Sequence, residues 1–156
     1  MTGGGSSLPE VQALLRVLAA GRRCGEVGTA FGEGAAAMAE TAASLVTVEV
    51  DSERAHVAAR RLVGLDHVRL LVGDWRKMLP GHGPFELLFF DGGRFAESAD
   101  AIDLVGPGGL LVKDDLTPAW PGHDPVRELL FGDPRLAAVE ILTTPTTAAI
   151  VAARVA

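Results

Sequence analysis

The chain has 156 residues, 48% of them hydrophobic and 22% charged, the balance of a soluble globular protein built around one sizeable core. Nineteen glycines and nine prolines are too few for a low-complexity or disordered chain. Fourteen basic against twenty acidic residues give a net charge of −6, with no concentrated basic footprint to displace counterions from phosphate. That argues against a nucleic-acid partner and for a small-molecule one.

No apolar run approaches the roughly 18 residues of a membrane span. Residues 1–7 are rich in Gly and Ser and lack a basic region ahead of an apolar core, so they read as a flexible N-terminus and not as a secretory signal. Cys24 is the only cysteine, which excludes an internal disulfide and a multi-thiolate zinc site. The expectation is a cytoplasmic protein with no membrane partner, in a single domain covering 1–156.

In chain order, Ser7-Leu8-Pro9-Glu10 has the form of a capping box, and Val11, Leu14, Leu15 and Leu18 then repeat at helical spacing up to Gly21. A short strand, Cys24 to Val27, runs into the glycine-rich stretch Gly28 to Gly34 and an alanine-rich helix over 35–43. Leu45 to Val50 reads as a buried strand, Ser52 to Val63 as a helix, Val68 to Val72 and Leu87 to Phe90 as strands, and Phe95 to Val105 as a helix. Leu110 to Val112 is a strand entered from Pro107-Gly108-Gly109, and Asp124 to Phe131 is helical. Alternating strands and helices with continuous apolar strand cores predict a Rossmann-like, doubly wound parallel sheet covered on both faces. Val139 to Leu142 and Ala148 to Ala152 are separated by only five residues, too few for a parallel crossover, so the last strand is expected to run antiparallel.

Ligands of such sheets sit at the carboxyl ends of the strands, near the switch in strand order. The loop from Gly28 to Gly34 lies there, and its spacing departs from the G-x-G-x-x-G dinucleotide pattern. Glu49, 21 residues after Gly28 and near the end of the second strand, is placed to accept both hydroxyls of an adenosine ribose. Asp51 competes for that role but is better used as a helix N-cap. Asp74, after the third strand, is placed to accept from an adenine amino group with Trp75 nearby, or else to fix its own turn.

Glu26-Val27-Gly28-Thr29-Ala30-Phe31-Gly32, Val48-Glu49-Val50-Asp51, Gly73-Asp74, Phe89-Phe90-Asp91-Gly92-Gly93 and Pro107-Gly108-Gly109 together resemble the successive motifs of class I S-adenosylmethionine-dependent methyltransferases. Among these, the catechol O-methyltransferase-like small-molecule O-methyltransferases are the most similar. The resemblance covers about residues 22–154 and implies a seven-stranded sheet with its last strand reversed. It implies S-adenosylmethionine as cofactor, bound by Glu26, Gly28, Thr29, Gly32, Glu49, Val50, Asp74, Trp75 and Asp91, and methyl transfer to an oxygen of a small molecule. It also implies Mg²⁺ on Asp91, Asp114 and Asp115. If the fourth and fifth strands are neighbours, these carboxylates converge and repel, and a divalent cation is a natural occupant.

Adjacent strand residues face opposite ways, so Asp114 and Asp115 share a metal only if the chain leaves strand geometry there, for which Thr117-Pro118 is suited. Where the resembled family has a catalytic lysine this chain has Arg94, which stabilises an oxyanion but does not act as a base; Arg94 and Asp91 are the catalytic candidates. Trp120 is the candidate wall of the acceptor pocket. Fewer N-terminal helices precede the first strand than in the resembled family, which leaves an open acceptor site or one completed by a second subunit of a homo-oligomer. Two other classes remain as rivals: a dinucleotide-binding oxidoreductase, and a non-catalytic nucleotide-binding module on the same fold.

Overall fold

The computed structural model describes residues 7–92, 94–95 and 99–156. The expected flexible segment 1–7 therefore lies outside the described residues except for Ser7, as does Gly93 of the fourth motif. The elements run α1 (Pro9–Ala19), β1 (Arg23–Val27), α2 (Glu33–Ala39), β2 (Ser44–Glu49), α3 (Ser52–Arg61), β3 (Val68–Val72), α4 (Trp75–Met78), β4 (Phe85–Phe90), α5 (Asp100–Asp103), β5 (Val105–Leu116), α6 (Pro125–Gly132), β6 (Leu136–Thr144) and β7 (Thr147–Arg154).

The seven strands form one sheet in the order β3-β2-β1-β4-β5-β7-β6. Pairs among β3, β2, β1, β4 and β5 are parallel, while β7 runs antiparallel to both β5 and β6. The reversed last strand inferred from the short 143–147 connection is present. The strand order reverses between β1 and β4, and that switch point opens a crevice at the strand ends. Successive residues of a strand face opposite sides, so β4 feeds two cores at once. Leu87 and Phe89 pack with α1 and α2 through Leu15 and Met38, whereas Leu88 and Phe90 pack with Leu79, Phe95 and Ile102 on the other face. Its uninterrupted apolar run follows from burial on both sides.

Four local expectations are corrected. The Ser7 capping box does not form: Leu8 is the N-cap of α1 with no side-chain cap, and the Ser7 carbonyl instead accepts from Gln12 Nε2 at 2.8 Å. Pro9 needs no N–H at the first helical position, so the helix starts without that cap. Of the Phe95–Val105 helix the described residues show the one turn of α5, which ends early because the Phe85 amide donates to Leu104 O at 2.7 Å and Val105 already opens β5; residues 96–98 lie outside the described ones. β5 is twelve residues long and takes in Pro107-Gly108-Gly109, with a register shift against β4. Finally, α4 was not expected; it is a single turn after the third strand.

A candidate cofactor pocket at the switch point

A cavity of about 610 Å³ lies over the carboxyl ends of the parallel strands. Of the residues expected at the cofactor, Gly28, Glu49, Val50, Asp74, Trp75 and Asp91 line it. Gly28 closes β1 at φ +87, and a Cβ there would stand 2.9 Å from the Asp91 carbonyl oxygen. Only glycine accepts both the left-handed backbone and that approach, and this pins the β1 loop against the end of β4. The loop is held on its other side by β2, where the Gly28 and Thr29 amides donate to the Val48 carbonyl.

Glu49 ends β2 with its carboxylate buried. Its Oε2 accepts from the Ala30 amide at 2.8 Å and its Oε1 from the Asp51 amide at 3.0 Å. Each oxygen keeps a second lone pair for a ligand hydroxyl, so the two backbone donors aim the carboxylate without exhausting it. Asp51 is spent as expected: it N-caps α3 by accepting from the Glu53 and Arg54 amides, and the Arg54 bond holds its carboxyl below the usual range. Asp74 carries both readings. Its Oδ1 accepts from the Arg76 amide at 3.0 Å and caps α4, and its residue also borders the cavity. Trp75 is only 8% exposed, edge-on to Phe90 at 5.3 Å, with the Arg76 guanidinium 4.8 Å over its ring. It is a core side chain that shows one edge to the cavity.

Glu26, Thr29 and Gly32 do not line the cavity: Glu26 and Thr29 are buried behind it and Gly32 packs against Ala58 of α3. Glu26 is buried, and its Oε2 accepts from Thr47 Oγ1 at 2.5 Å, with Thr29 Oγ1 a further 2.5 Å from Thr47 Oγ1. A Cβ on Gly34 would come within 2.7 Å of Glu26 Oε1, so the first turn of α2 rests directly on this carboxyl. Burial pushes the Glu26 carboxyl up to about 8, helped by the charges of Asp114 and Glu49 and opposed by the Thr47 hydroxyl. Gly32 is the N-cap of α2.

At the neighbouring ends of β4 and β5, the Asp91 and Asp114 carboxyls lie within hydrogen-bonding reach of each other. Burial first, and mutual charge second, raise the Asp91 carboxyl; burial likewise raises that of Asp114, whose Oδ1 is buried with no hydrogen-bond partner among the described residues. In a pair so placed each carboxyl favours its proton more than an ordinary aspartate does, because two adjacent buried charges repel. The chain does leave regular strand geometry here. Lys113 pairs with Ile150 and Leu116 with Ala148, so Asp114 and Asp115 together oppose Ala149 in a bulge, with Asp115 at φ +62. The bulge carries Asp115 to the exposed rim of the cavity.

Mg²⁺ requires oxygen donors converging on one centre with room for water. Among the described residues no group of three or more His, Cys, Asp or Glu side chains could hold a metal ion. Asp91, Asp114 and Asp115 therefore do not fit the three-carboxylate site, because two close on each other and the third turns out. Arg94 and Trp120 are both exposed and do not line the cavity, whereas Lys113 does. The Lys113 Nζ donates to the Asp114 carbonyl at 3.0 Å. Arg54 and Arg76 on the cavity wall were not anticipated, although each lies two or three residues beyond a capping aspartate, in a first helical turn that faces the strand ends.

No protein-family model matches the chain. Two curated relatives are protein-L-isoaspartate O-methyltransferases. The one from Rhodopseudomonas palustris is 33% identical over 97 residues, 61% of this chain and 45% of that protein; the one from Chromobacterium violaceum is 31% identical over 110 residues, 65% and 48%. The chain thus spans less than half the length of these relatives. Among solved structures, cofactor-bound Rv0187 from MTB superposes with a TM-score of 0.80 at 25% identity over 97% of this chain and 83% of that one. The O-methyltransferase TomG from Streptomyces achromogenes, solved with SAM, gives 0.75 at 24% identity over 100% and 84%. The sheet order, the reversed last strand and the pocket at the switch point agree with these likenesses: the chain has the class I S-adenosylmethionine-dependent methyltransferase fold.

Proposed function

We propose that the chain binds S-adenosylmethionine in the switch-point cavity and transfers its methyl group to an oxygen of a small molecule. The observation that carries this reading is the set of successive strand ends: the Gly28 turn on β1, the doubly anchored Glu49 on β2 and Asp74 after β3, all bordering one cavity. Glu49 takes the ribose hydroxyls and Asp74 the adenine amino group, while Gly28 lets the backbone approach the ligand. Glu26 supports this loop from beneath through Thr47 and Gly34 and does not itself reach into the cavity. The donor methyl is already activated by its sulfonium, so the protein's work is positioning and exclusion of water, with no covalent intermediate.

Magnesium is left out of the proposal, because the three carboxylates expected to hold it do not meet at one centre: Asp91 and Asp114 close on each other and Asp115 turns to the rim. No described helix is long and apolar enough to cross a membrane. The curated relatives favour a second acceptor, an isoaspartyl carboxyl in a protein. Release of S-adenosylhomocysteine from S-adenosylmethionine, measured with a panel of phenols, catechols and carboxylic acids and with an isoaspartyl peptide, tests both. Turnover on a small molecule alone supports the first reading, and turnover on the peptide alone replaces it with the second. Turnover on neither overturns the assignment of an oxygen acceptor.

A further inference from the structure

The acceptor end of the cavity is where β4 and β5 finish, and the described charged side chains lining it there are Asp91, Lys113 and Asp115. Lys113 is registered against Phe90 on one side and Ile150 on the other, so its stem rises from a point fixed by two ladders. Its contact with the Asp114 carbonyl uses one of three ammonium protons and leaves two for a ligand. The Asp91 and Asp114 carboxyls are engaged with each other, and the bulge turns Asp115 outward. The described wall of the cavity carries no histidine to act as a base.

We propose that this end of the cavity works without a divalent cation, and that Lys113 is the cation that orients the acceptor by an anionic oxygen, a carboxylate or an acidic phenolate. The inference rests on reading the cavity as an S-adenosylmethionine site. In the transfer, the anionic oxygen forms the new bond to the methyl carbon while the carbon–sulfur bond breaks, its electron pair staying on sulfur. The sulfonium becomes a neutral thioether, the two opposite charges cancel, and no proton has to be moved. Asp115 at the rim repels an anion, so Lys113 also decides which way the acceptor lies: oxygen toward the ammonium, the remainder toward the rim.

The test uses the full chain loaded with S-adenosylhomocysteine. Benzoate and 4-nitrophenolate are the anionic probes and benzamide the neutral isostere, with Mn²⁺ titrated separately and read by electron paramagnetic resonance. Wild type is expected to bind one or both anions about tenfold tighter than benzamide, the scale of one charge-assisted hydrogen bond. Lys113→Met should lose that preference with unchanged affinity for S-adenosylhomocysteine, Lys113→Arg should retain it, and Mn²⁺ should not bind. Preference for benzoate alone assigns a carboxylate acceptor, and for 4-nitrophenolate alone a phenolate. An anion preference that survives in Lys113→Met, equal binding of all three probes, or stoichiometric Mn²⁺ binding lost in Asp114→Asn would overturn the proposal. If wild type fails to bind S-adenosylhomocysteine, the cofactor reading falls instead, and the same probes on the unloaded chain still report on Lys113.

Discussion

Glu26 carries an ionisable group into the interior to support a loop, and that has a pH signature. Its carboxyl is raised from the ordinary 4.5 to about 8 by burial, so the folded state holds a proton that the unfolded state has released between those values. Stability from this group is full below pH 4.5 and falls as pH rises toward 8, by up to ~5 kcal/mol. Asp91 and Asp114 are raised as well and act in the same direction. Glu26→Gln should flatten the fall in denaturant midpoint between pH 5 and 8; an equally steep profile would remove Glu26 as its source. Gly28→Ala forces a left-handed alanine into the Asp91 carbonyl and should cost ~2–4 kcal/mol of stability by chemical denaturation. Glu49→Ala should weaken S-adenosylhomocysteine binding by ~1–3 kcal/mol in a calorimetric titration, since a charged acceptor is lost. Unchanged affinity would take the ribose away from Glu49. Glu26 and Glu49 stood out in the sequence as acids at strand ends, but their division of labour did not. One floors the loop and the other faces the ligand, a difference set by position along the strand: both lie on one side of the sheet, but Glu26 is registered with Thr47 inside it while Glu49 stands two residues further on, at the end of β2.

At the scale of elements, β1, β2 and β4 were legible as short, largely apolar runs buried along most of their length, and the edge strand β3, which has no buried residue, from its Val and Leu content ahead of Gly73. α4 was not, because four residues are too few for a helical period. Its only signal was Asp74, whose position before Trp75 served equally well as a ligand contact or a cap. The two roles separate by substitution. Asp74→Ala should lose about 1 kcal/mol of stability with the cap, whereas Asp74→Asn keeps the capping oxygen and the stability. Asn replaces the second oxygen with a donor that cannot accept from adenine, so both variants should bind S-adenosylhomocysteine about tenfold more weakly. If Asp74→Asn binds like wild type, Asp74 is a cap and nothing more. The length of β5 was hidden for a related reason: Pro107-Gly108-Gly109 reads as a turn, yet the sheet accommodates it by a register shift beside Phe85.

For the molecule as a whole, the topology was legible from one short connection, since five residues between two apolar runs force a hairpin and hence a reversed last strand. The cofactor side of the site followed from motif order, because each motif ends a strand and adjacent strands bring their ends together. The acceptor side did not. Whether Asp91, Asp114 and Asp115 meet depends on a bulge at Asp115 that has no glycine to announce it, and the place of Lys113 depends on its register with Phe90 and Ile150, which the sequence does not show. The central claim is that the switch-point cavity holds S-adenosylmethionine, and calorimetric titration of the purified chain with S-adenosylhomocysteine and, separately, with NAD tests it most directly. The expected result is saturable one-to-one binding of S-adenosylhomocysteine and no heat with NAD; binding of NAD without S-adenosylhomocysteine would contradict it.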